Sequence, residues 1–170
     1  RLLGVAVIFL TGFMGSGKTT VGEDLAHRTG APFVDLDEVI ARKSGTSIAD
    51  IFRCAGEEAF RALEDTALKE TAAQGGPSCI VATGGGLPVS PLNRKLMKSC
   101  GSIVYLKSSF ENLELRIAQD GSRPLWNSGA RDLLKKRIPA YEDADLAVDI
   151  DGRTAQDIAH EIVKALPGLP

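Results

Sequence analysis

Residues 12–19 read GFMGSGKT, and this run constrains the fold more than any other part of the chain. It matches the pattern G-x-x-x-x-G-K-[S/T], in which the glycines let successive backbone N–H groups turn inward around a phosphate. An apolar run at residues 5–10 precedes it, and a helical pattern at residues 18–28 follows it. That order matters because the N-terminus of the helix adds its own N–H donors and dipole. The pattern therefore predicts a P-loop that binds a nucleoside triphosphate.

The polar residues of this loop suit ATP and Mg²⁺, which we expect as cofactors. Lys18 can place a positive charge beside the β- and γ-phosphates, and the Thr19 hydroxyl can coordinate Mg²⁺. The residues predicted to hold the nucleotide are Gly12, Met14, Gly15, Ser16, Gly17, Lys18, Thr19 and Thr20.

Apolar runs alternate with helical patterns along the chain. We predict strands at residues 5–10, 33–35, 79–82, 103–106 and 146–150, and helices at residues 18–28, 37–42, 48–52, 57–73, 91–98 and 154–166. A further helix, ending near residue 119, is predicted to open with a capping box formed by Ser108 and Glu111. Such alternation requires right-handed crossovers and a parallel sheet covered on both faces. The predicted fold is α/β: a three-layer P-loop fold in which helices flank a five-stranded parallel sheet.

Two segments fit neither the strands nor the covering helices. Residues 37–64 are predicted to form a helical insertion, and residues 120–129, which contain two glycines and a proline, to form a lid loop. At 170 residues and 18.0 kDa, the chain suits a single domain over residues 1–170.

Composition and charge narrow the range of partners. The net charge of −2 and the scattered basic residues give no reason to expect nucleic-acid binding. The apolar stretch at residues 2–10 is too short to span a bilayer, so no membrane partner is expected. Three well-separated cysteines, Cys54, Cys79 and Cys100, predict reduced thiols and a cytoplasmic location. We expect a monomer.

Two carboxylates follow the second predicted strand. Asp35 ends the strand and Asp37 comes two residues later, so both should face the carboxyl edge of the sheet, where open α/β sheets bind ligands. The third strand ends in glycines and lacks the metal-binding Asp common in P-loop proteins. Asp35 is therefore the candidate metal ligand, and Asp37 the candidate acceptor of a substrate proton. An Asp-x-Asp alone equally fits a strand end with a helix cap.

The chain lacks the guanine-binding N-K-x-D motif and is short for an ATPase motor, so a small kinase is the class that remains. At this level of detail the sequence resembles the shikimate kinases over essentially its whole length. The matching segments are the P-loop with Thr20-Val21-Gly22, Asp35-Leu36-Asp37, Ile51-Phe52 with Gly56-Glu57 and Phe60-Arg61, Gly84-Gly85-Gly86, Arg123-Pro124-Leu125, and Arg137-Ile138-Pro139-Ala140-Tyr141. One departure is Trp126, where the family commonly has an aliphatic residue.

The resemblance implies specific site residues. Shikimate, the implied substrate, would contact Asp37, Arg61, Gly84, Gly85, Gly86 and Arg137, with Phe52 and Phe60 as an apolar wall. Arg123 would reach the ATP phosphates, and Arg116 and Arg153 would border the adenine. Two arginines suit this substrate, because planar guanidinium groups grip a carboxylate with directional hydrogen bonds. Asp37, Lys18 and Arg123 would be the catalytic residues, and Thr19 and Asp35 the metal ligands.

Each of these residues also has a purely structural interpretation. Arg61 can pair with Glu64 one helical turn away, and Arg137 can offset a helix dipole as a C-terminal charge. The triple glycine can be a flexible turn, and Phe52 and Phe60 can be core residues. Two other functions also stay open: another small kinase, for gluconate or a nucleoside monophosphate, and a non-catalytic relative that binds ATP and a partner.

Overall fold

The computed structural model describes residues 7–73, 79–120 and 129–166. Within them, five strands form one parallel sheet in the order β2-β3-β1-β4-β5. The strands are β1 (Val7–Thr11), β2 (Phe33–Asp35), β3 (Ile80–Ala82), β4 (Gly101–Lys107) and β5 (Leu146–Asp149). Both halves of the sheet meet at β1, which pairs Ile8 with Ile80 of β3 and with Ser102 of β4. The loop that follows β1 therefore emerges at the centre of the carboxyl edge.

The side chains of β1 alternate between two hydrophobic cores, one on each face of the sheet. Ile8 and Leu10 pack with helices α1 (Lys18–Thr29) and α7 (Ala155–Ala165) on one face. Phe9 points to the other face, where it joins a core built from α2 (Leu36–Ser44), α3 (Ile48–Ala73) and α4 (Pro91–Cys100). This two-sided burial confirms the predicted three-layer α/β P-loop fold.

A third core cluster lies beside the P-loop. Phe13 of the loop packs with Tyr105 of β4 and Leu113 of α5 (Phe110–Asp120). Leu134 and Tyr141 complete the cluster from α6 (Ala130–Glu142), a helix that is not among those predicted from the sequence. Pro139 within α6 hides the pattern, since an internal proline usually ends a helix.

One predicted helix start needs correction. The capping box of Ser108 and Glu111 is wrong: Ser109 Oγ accepts from the Asn112 N–H at 3.2 Å, and Ser108 Oγ donates to Asp151 instead. The break predicted between the helices at residues 48–52 and 57–73 is confirmed: α3 has a kink at Gly56, whose backbone is not helical, with φ of 83° and ψ of 175°. None of the helices in the described ranges combines the length and hydropathy needed to cross a bilayer.

Gly101 offers a test of how closely β1 and β4 must approach. Its partner in the sheet is Val7, and a Cβ at position 101 would collide with the Val7 backbone. Gly101→Ala should lower the free energy of unfolding by roughly 1–3 kcal/mol, because backbone cannot move aside as a side chain can. Urea unfolding followed by circular dichroism measures this, with Ser102→Ala as the neighbouring control. Equal stability of the two variants would contradict the register.

Candidate functional site

The P-loop adopts the conformation that its glycines predict. Gly15 and Gly17 have φ of 81° and 79°, a left-handed backbone that side chains disfavour. Gly17 is the N-cap of α1, so the helix begins at Lys18 with its N–H donors directed at the loop. Ser16 is buried within the loop. The loop thus forms a concave row of donors suited to an anion.

The Lys18 ammonium lies across the loop. Its Nζ donates to the Gly12 and Phe13 carbonyl oxygens, both at 3.0 Å, and to Ser16 Oγ at 3.4 Å. These contacts hold a positive charge beside the N–H groups of the loop, where a phosphate oxygen would bind.

Thr19 and Asp35 are in direct contact, which brings the two predicted metal ligands together. Thr19 Oγ1 donates to Asp35 Oδ2 at 2.8 Å, while Asp35 Oδ1 accepts from the Asp37 N–H at 2.9 Å. Asp35 therefore acts as the N-cap of α2, and Asp37 lies in the first helical turn rather than in an extended segment. The helix-cap interpretation of the Asp-x-Asp is confirmed, and the metal-ligand interpretation stays a prediction.

This pair fits Mg²⁺, which prefers oxygen ligands and usually takes few of them from the protein when phosphates supply the rest. A dense metal cage is not found: the described part of the chain has no group of three His, Cys, Asp or Glu side chains placed to hold an ion. The donor set therefore matches a metal shared with a nucleotide.

A cleft of about 500 Å³ opens at the carboxyl edge of the sheet and joins the P-loop to the helical insertion. Most of the predicted site residues line it, together with five that were not predicted to contact a ligand: Ile48, Ala49, Glu64, Ala82 and Thr83. The predicted residues in the lining are Met14, Gly15, Gly17, Lys18, Thr19, Thr20, Asp35, Asp37, Phe52, Phe60, Arg61, Gly84, Gly85, Gly86 and Arg137.

The glycine turn, residues 84–86, is the point where the walls of the cleft meet. A Cβ at Gly86 would collide with the Arg61 guanidinium, and one at Gly84 would collide with the Glu64 carboxylate. A Cβ at Gly85 would lie 3.4 Å from the Gly12 carbonyl oxygen and 3.5 Å from Arg137 Nη1. The turn is therefore closely packed at Gly84 and Gly86, where a side chain would displace two charged groups, and it is not merely a flexible connection.

Arg61 and Glu64 form a partly buried ion pair inside the cleft. Arg61 Nη1 donates to Glu64 Oε2 at 2.5 Å, and its Nη2 donates to the more exposed Glu57 at 2.8 Å. Burial lowers the pKa of Arg61, but Glu64 and Glu57 outweigh it and raise that pKa overall. Arg61 pairs with Glu64 one helical turn away and also lines the cleft. The structural interpretation of Arg61 therefore does not exclude a role in binding.

Glu64 carries a strongly perturbed carboxyl group in the cleft. Its side chain is 1% exposed, and burial raises its pKa to about 7, with the Asp37 charge adding to the rise. Arg61 and Arg137 act in the opposite direction. Among the described residues no hydrogen-bond donor reaches Glu64 Oε1. The positive charge of Arg61 favours the ionised form of Glu64, but this effect is smaller than that of burial. The pKa of Glu64 is therefore raised overall.

Arg137 lies in the middle of α6, so its interpretation as a C-terminal helix charge is wrong. It is 8% exposed, and its Cζ lies 5.8 Å from the centroid of the Phe13 ring in the P-loop. Phe52 and Phe60 pack against each other with centroids 4.6 Å apart. Phe60 belongs to the core and Phe52 is half-buried, and both line the cleft.

Arg123 falls in the predicted lid and, like Trp126, is outside the described residues. Two other predicted arginines, Arg116 and Arg153, are not among the residues that line the cleft. Arg116 Nη1 would be 3.2 Å from a Cβ at Gly17, which puts it beside the P-loop. Arg153 donates to the Asp149 carbonyl oxygen and pairs with Glu161. Their contacts with a nucleotide stay predictions.

Two residues of the site region carried no predicted role. Arg94 Nη1 donates to the Pro88 carbonyl oxygen at 2.6 Å, and its Nε donates to Asp143 at 2.7 Å, so it joins the segment after the glycine turn to the end of α6. Tyr141 donates to the Gly85 carbonyl oxygen at 2.5 Å. The spacing of Tyr141, four residues after Arg137, was a usable signal, because such residues share one face of a helix.

Comparison with known proteins finds a matching family, related sequences and related structures. The family model described as "Shikimate kinase" matches residues 14–167. A shikimate kinase of Geobacter metallireducens is 40% identical over 166 residues, covering 95% of this chain and 92% of that protein. The structure titled "Shikimate kinase from Acinetobacter baumannii in complex with shikimate" superposes with a TM-score of 0.88 at 38% identity, covering 95% of this chain and 92% of that one. A gluconokinase from Sinorhizobium meliloti, at 23% identity and a TM-score of 0.58, shares the fold.

The raised pKa of Glu64 predicts a pH-dependent stability. An acid whose pKa is higher in the folded than in the unfolded state destabilises the fold as it ionises, so stability should fall as pH rises from about 4.5 to about 7. In Glu64→Gln this fall in the free energy of unfolding, on the order of 2 kcal/mol, should be absent. Unfolding free energies between pH 4.5 and 8 measure this. Glu57→Gln, which changes the exposed partner of Arg61, is the control and should keep the wild-type dependence of unfolding free energy on pH. If the wild type and both variants showed the same dependence on pH, the raised pKa of Glu64 would be refuted.

Proposed function

This chain belongs to the shikimate kinase family, and we propose that its cleft transfers the γ-phosphoryl group of ATP to the 3-hydroxyl of shikimate, giving shikimate 3-phosphate and ADP for aromatic amino acid synthesis through chorismate. The family match establishes a kinase that uses ATP. The assignment of individual residues to the reaction is the proposal.

The main support for this proposal is that the P-loop, Arg61 and Arg137 all lie next to the glycine turn. Gly85 is next to both the Gly12 carbonyl oxygen and Arg137, and Gly86 is next to Arg61. Shikimate has one carboxylate and three hydroxyl groups on a ring. Arg61 and Arg137 would bind the carboxylate, the Gly84–Gly86 backbone would approach the ring, and Phe52 and Phe60 would cover its apolar carbons.

Asp37 is the proposed base. It is half-buried, lines the cleft, and has its Oδ1 3.1 Å from where a Cβ at Gly84 would lie. In the proposed step Asp37 orients the 3-hydroxyl and accepts its proton. The hydroxyl oxygen forms a bond to the γ-phosphorus while the bond from that phosphorus to the bridging oxygen of ADP breaks. A loose transition state asks little of the base, so its pKa need not be unusual.

The donor half consists of the P-loop residues and the lid. Lys18 would exchange its contacts with loop carbonyls for the β- and γ-phosphate oxygens, and Arg123 would stabilise charge on the transferring group. Thr19 and, through water, Asp35 would hold Mg²⁺, which when bound neutralises charge on the phosphate oxygens. The lid would exclude water, which otherwise competes with shikimate as acceptor.

The domain arrangement, cellular location and oligomeric state of the enzyme are also proposed. Residues 37–64 would be the acceptor-binding insertion of a single domain, and the enzyme would be cytoplasmic. It would act as a monomer.

A coupled assay for ADP release tests the acceptor. Shikimate, gluconate and AMP are offered separately at equal concentration with ATP and Mg²⁺, and a reaction without acceptor measures ATP hydrolysis. We expect turnover with shikimate alone, at least about 100-fold above the other acceptors, since a site built to hydrogen-bond one substrate rejects analogues strongly. Turnover with gluconate or AMP would reassign the substrate, and ATP binding without turnover on any acceptor would indicate a non-catalytic relative.

Asp37→Asn should lower kcat by about 10²- to 10⁴-fold, the usual contribution of a general base. The amide keeps the shape of the side chain, so the KM for ATP should stay within about twofold of wild type, as expected for a group that does not contact ATP. Steady-state kinetics with ATP and shikimate varied in turn measure both values. Glu38→Gln, the next residue of α2 and exposed, is the matched control; near-normal turnover of Asp37→Asn would remove the base assignment.

A further inference from the structure

The Tyr141 hydroxyl bridges two parts of the cleft. It donates to the Gly85 carbonyl oxygen at 2.5 Å, and Arg137 Nη1 lies 3.5 Å from where a Cβ at Gly85 would be. Tyr141 and Arg137 lie one turn apart on α6, whereas Gly85 belongs to the turn after β3. The single hydroxyl therefore ties the glycine turn to the helix that carries Arg137.

This hydrogen bond also orients a backbone donor. The Gly85 carbonyl and the Gly86 N–H belong to one planar trans peptide unit, so they point in opposite directions. When Tyr141 holds the carbonyl, the Gly86 N–H must point away from α6. Gly86 lies against the Arg61 guanidinium on α3. The peptide unit is thus fixed between the two arginines.

The surroundings of Tyr141 keep its hydroxyl in place. The side chain is fully buried, and its ring stacks on Tyr105 of β4 with centroids 5.2 Å apart. Burial raises the pKa of Tyr141 well above its usual value, so the hydroxyl stays a donor at any physiological pH. A glycine turn has no side chains of its own to restrain it, so an external anchor sets its conformation.

We propose that Tyr141 is a positioning residue for the acceptor carboxylate site: through Gly85 it sets the placement of the Gly86 N–H relative to Arg61 and Arg137. The inference rests on the proposed function, because it assigns the carboxylate of shikimate to that site. Tyr141 itself does not touch the substrate, so its effect acts on acceptor binding and leaves the nucleotide half unchanged.

The test compares Tyr141→Phe with Tyr105→Phe. Both substitutions remove one hydroxyl from the same buried stack, but the described structure has no bond from Tyr105 to the glycine turn. Tyr141→Phe should raise the KM for shikimate about fivefold, the effect of losing one hydrogen bond, and leave the KM for ATP within about twofold. Tyr105→Phe should leave both KM values near wild type. Melting temperatures of all three proteins are measured alongside.

The outcomes separate the two proposals. A wild-type enzyme that does not phosphorylate shikimate overturns the proposed function and this inference together. A wild type active on shikimate, with an unchanged shikimate KM in Tyr141→Phe, overturns the positioning role alone. A lower melting temperature without a change in shikimate KM has the same meaning, since KM does not depend on how much of the enzyme is folded. Equal rises in both KM values, or the same rise in Tyr105→Phe, also overturn it.

Discussion

The close packing of the glycine turn, residues 84–86, is the constraint on which the rest of the site depends. The turn stands where β3 ends, beside the P-loop after β1, and it touches groups from three separate elements. Arg61 and Glu64 approach it from α3, and Arg137 from α6. Side chains at Gly84 and Gly86 would displace these charged groups, so the glycines allow the Glu64 carboxylate and the Arg61 guanidinium to lie directly against the backbone of the turn.

Burying charge beside that turn has an energetic cost that the structure offsets only in part. Arg137 and Glu64 are 8% and 1% exposed, and isolated charges at such depth would be strongly unfavourable. Arg61 partly neutralises Glu64, and Arg137 packs over the Phe13 ring. In the reaction proposed above, the acceptor carboxylate would add a further negative charge beside Arg61 and Arg137.

Much of the fold and of the site was predictable from local patterns. The five strands and the P-loop follow from apolar runs and glycine spacing, and Asp35, Asp37 and the arginines from motifs in a fixed order. The missed features depend on non-local contacts. Helix α6 was overlooked because Pro139 usually ends a helix and the packing of Leu134 and Tyr141 beside Phe13 overrides that preference. Ser109, not Ser108, caps α5, because Asp151 from a distant loop draws the Ser108 hydroxyl away.

The resemblance to the shikimate kinases implied the arginines, while the sequence by itself predicted a phosphate loop that opens a helix and two carboxylates after a strand. These properties depend on residue type and short spacing, which survive any detail of packing. Only the tertiary structure decided which of these groups lie next to one another in the cleft. It showed that Asp35 both caps α2 and contacts Thr19, that Glu64 lies buried with a raised pKa, and that Tyr141 joins α6 to the glycine turn. Such relations join residues far apart along the chain, so they exist only once the sheet has brought its strand ends to one edge.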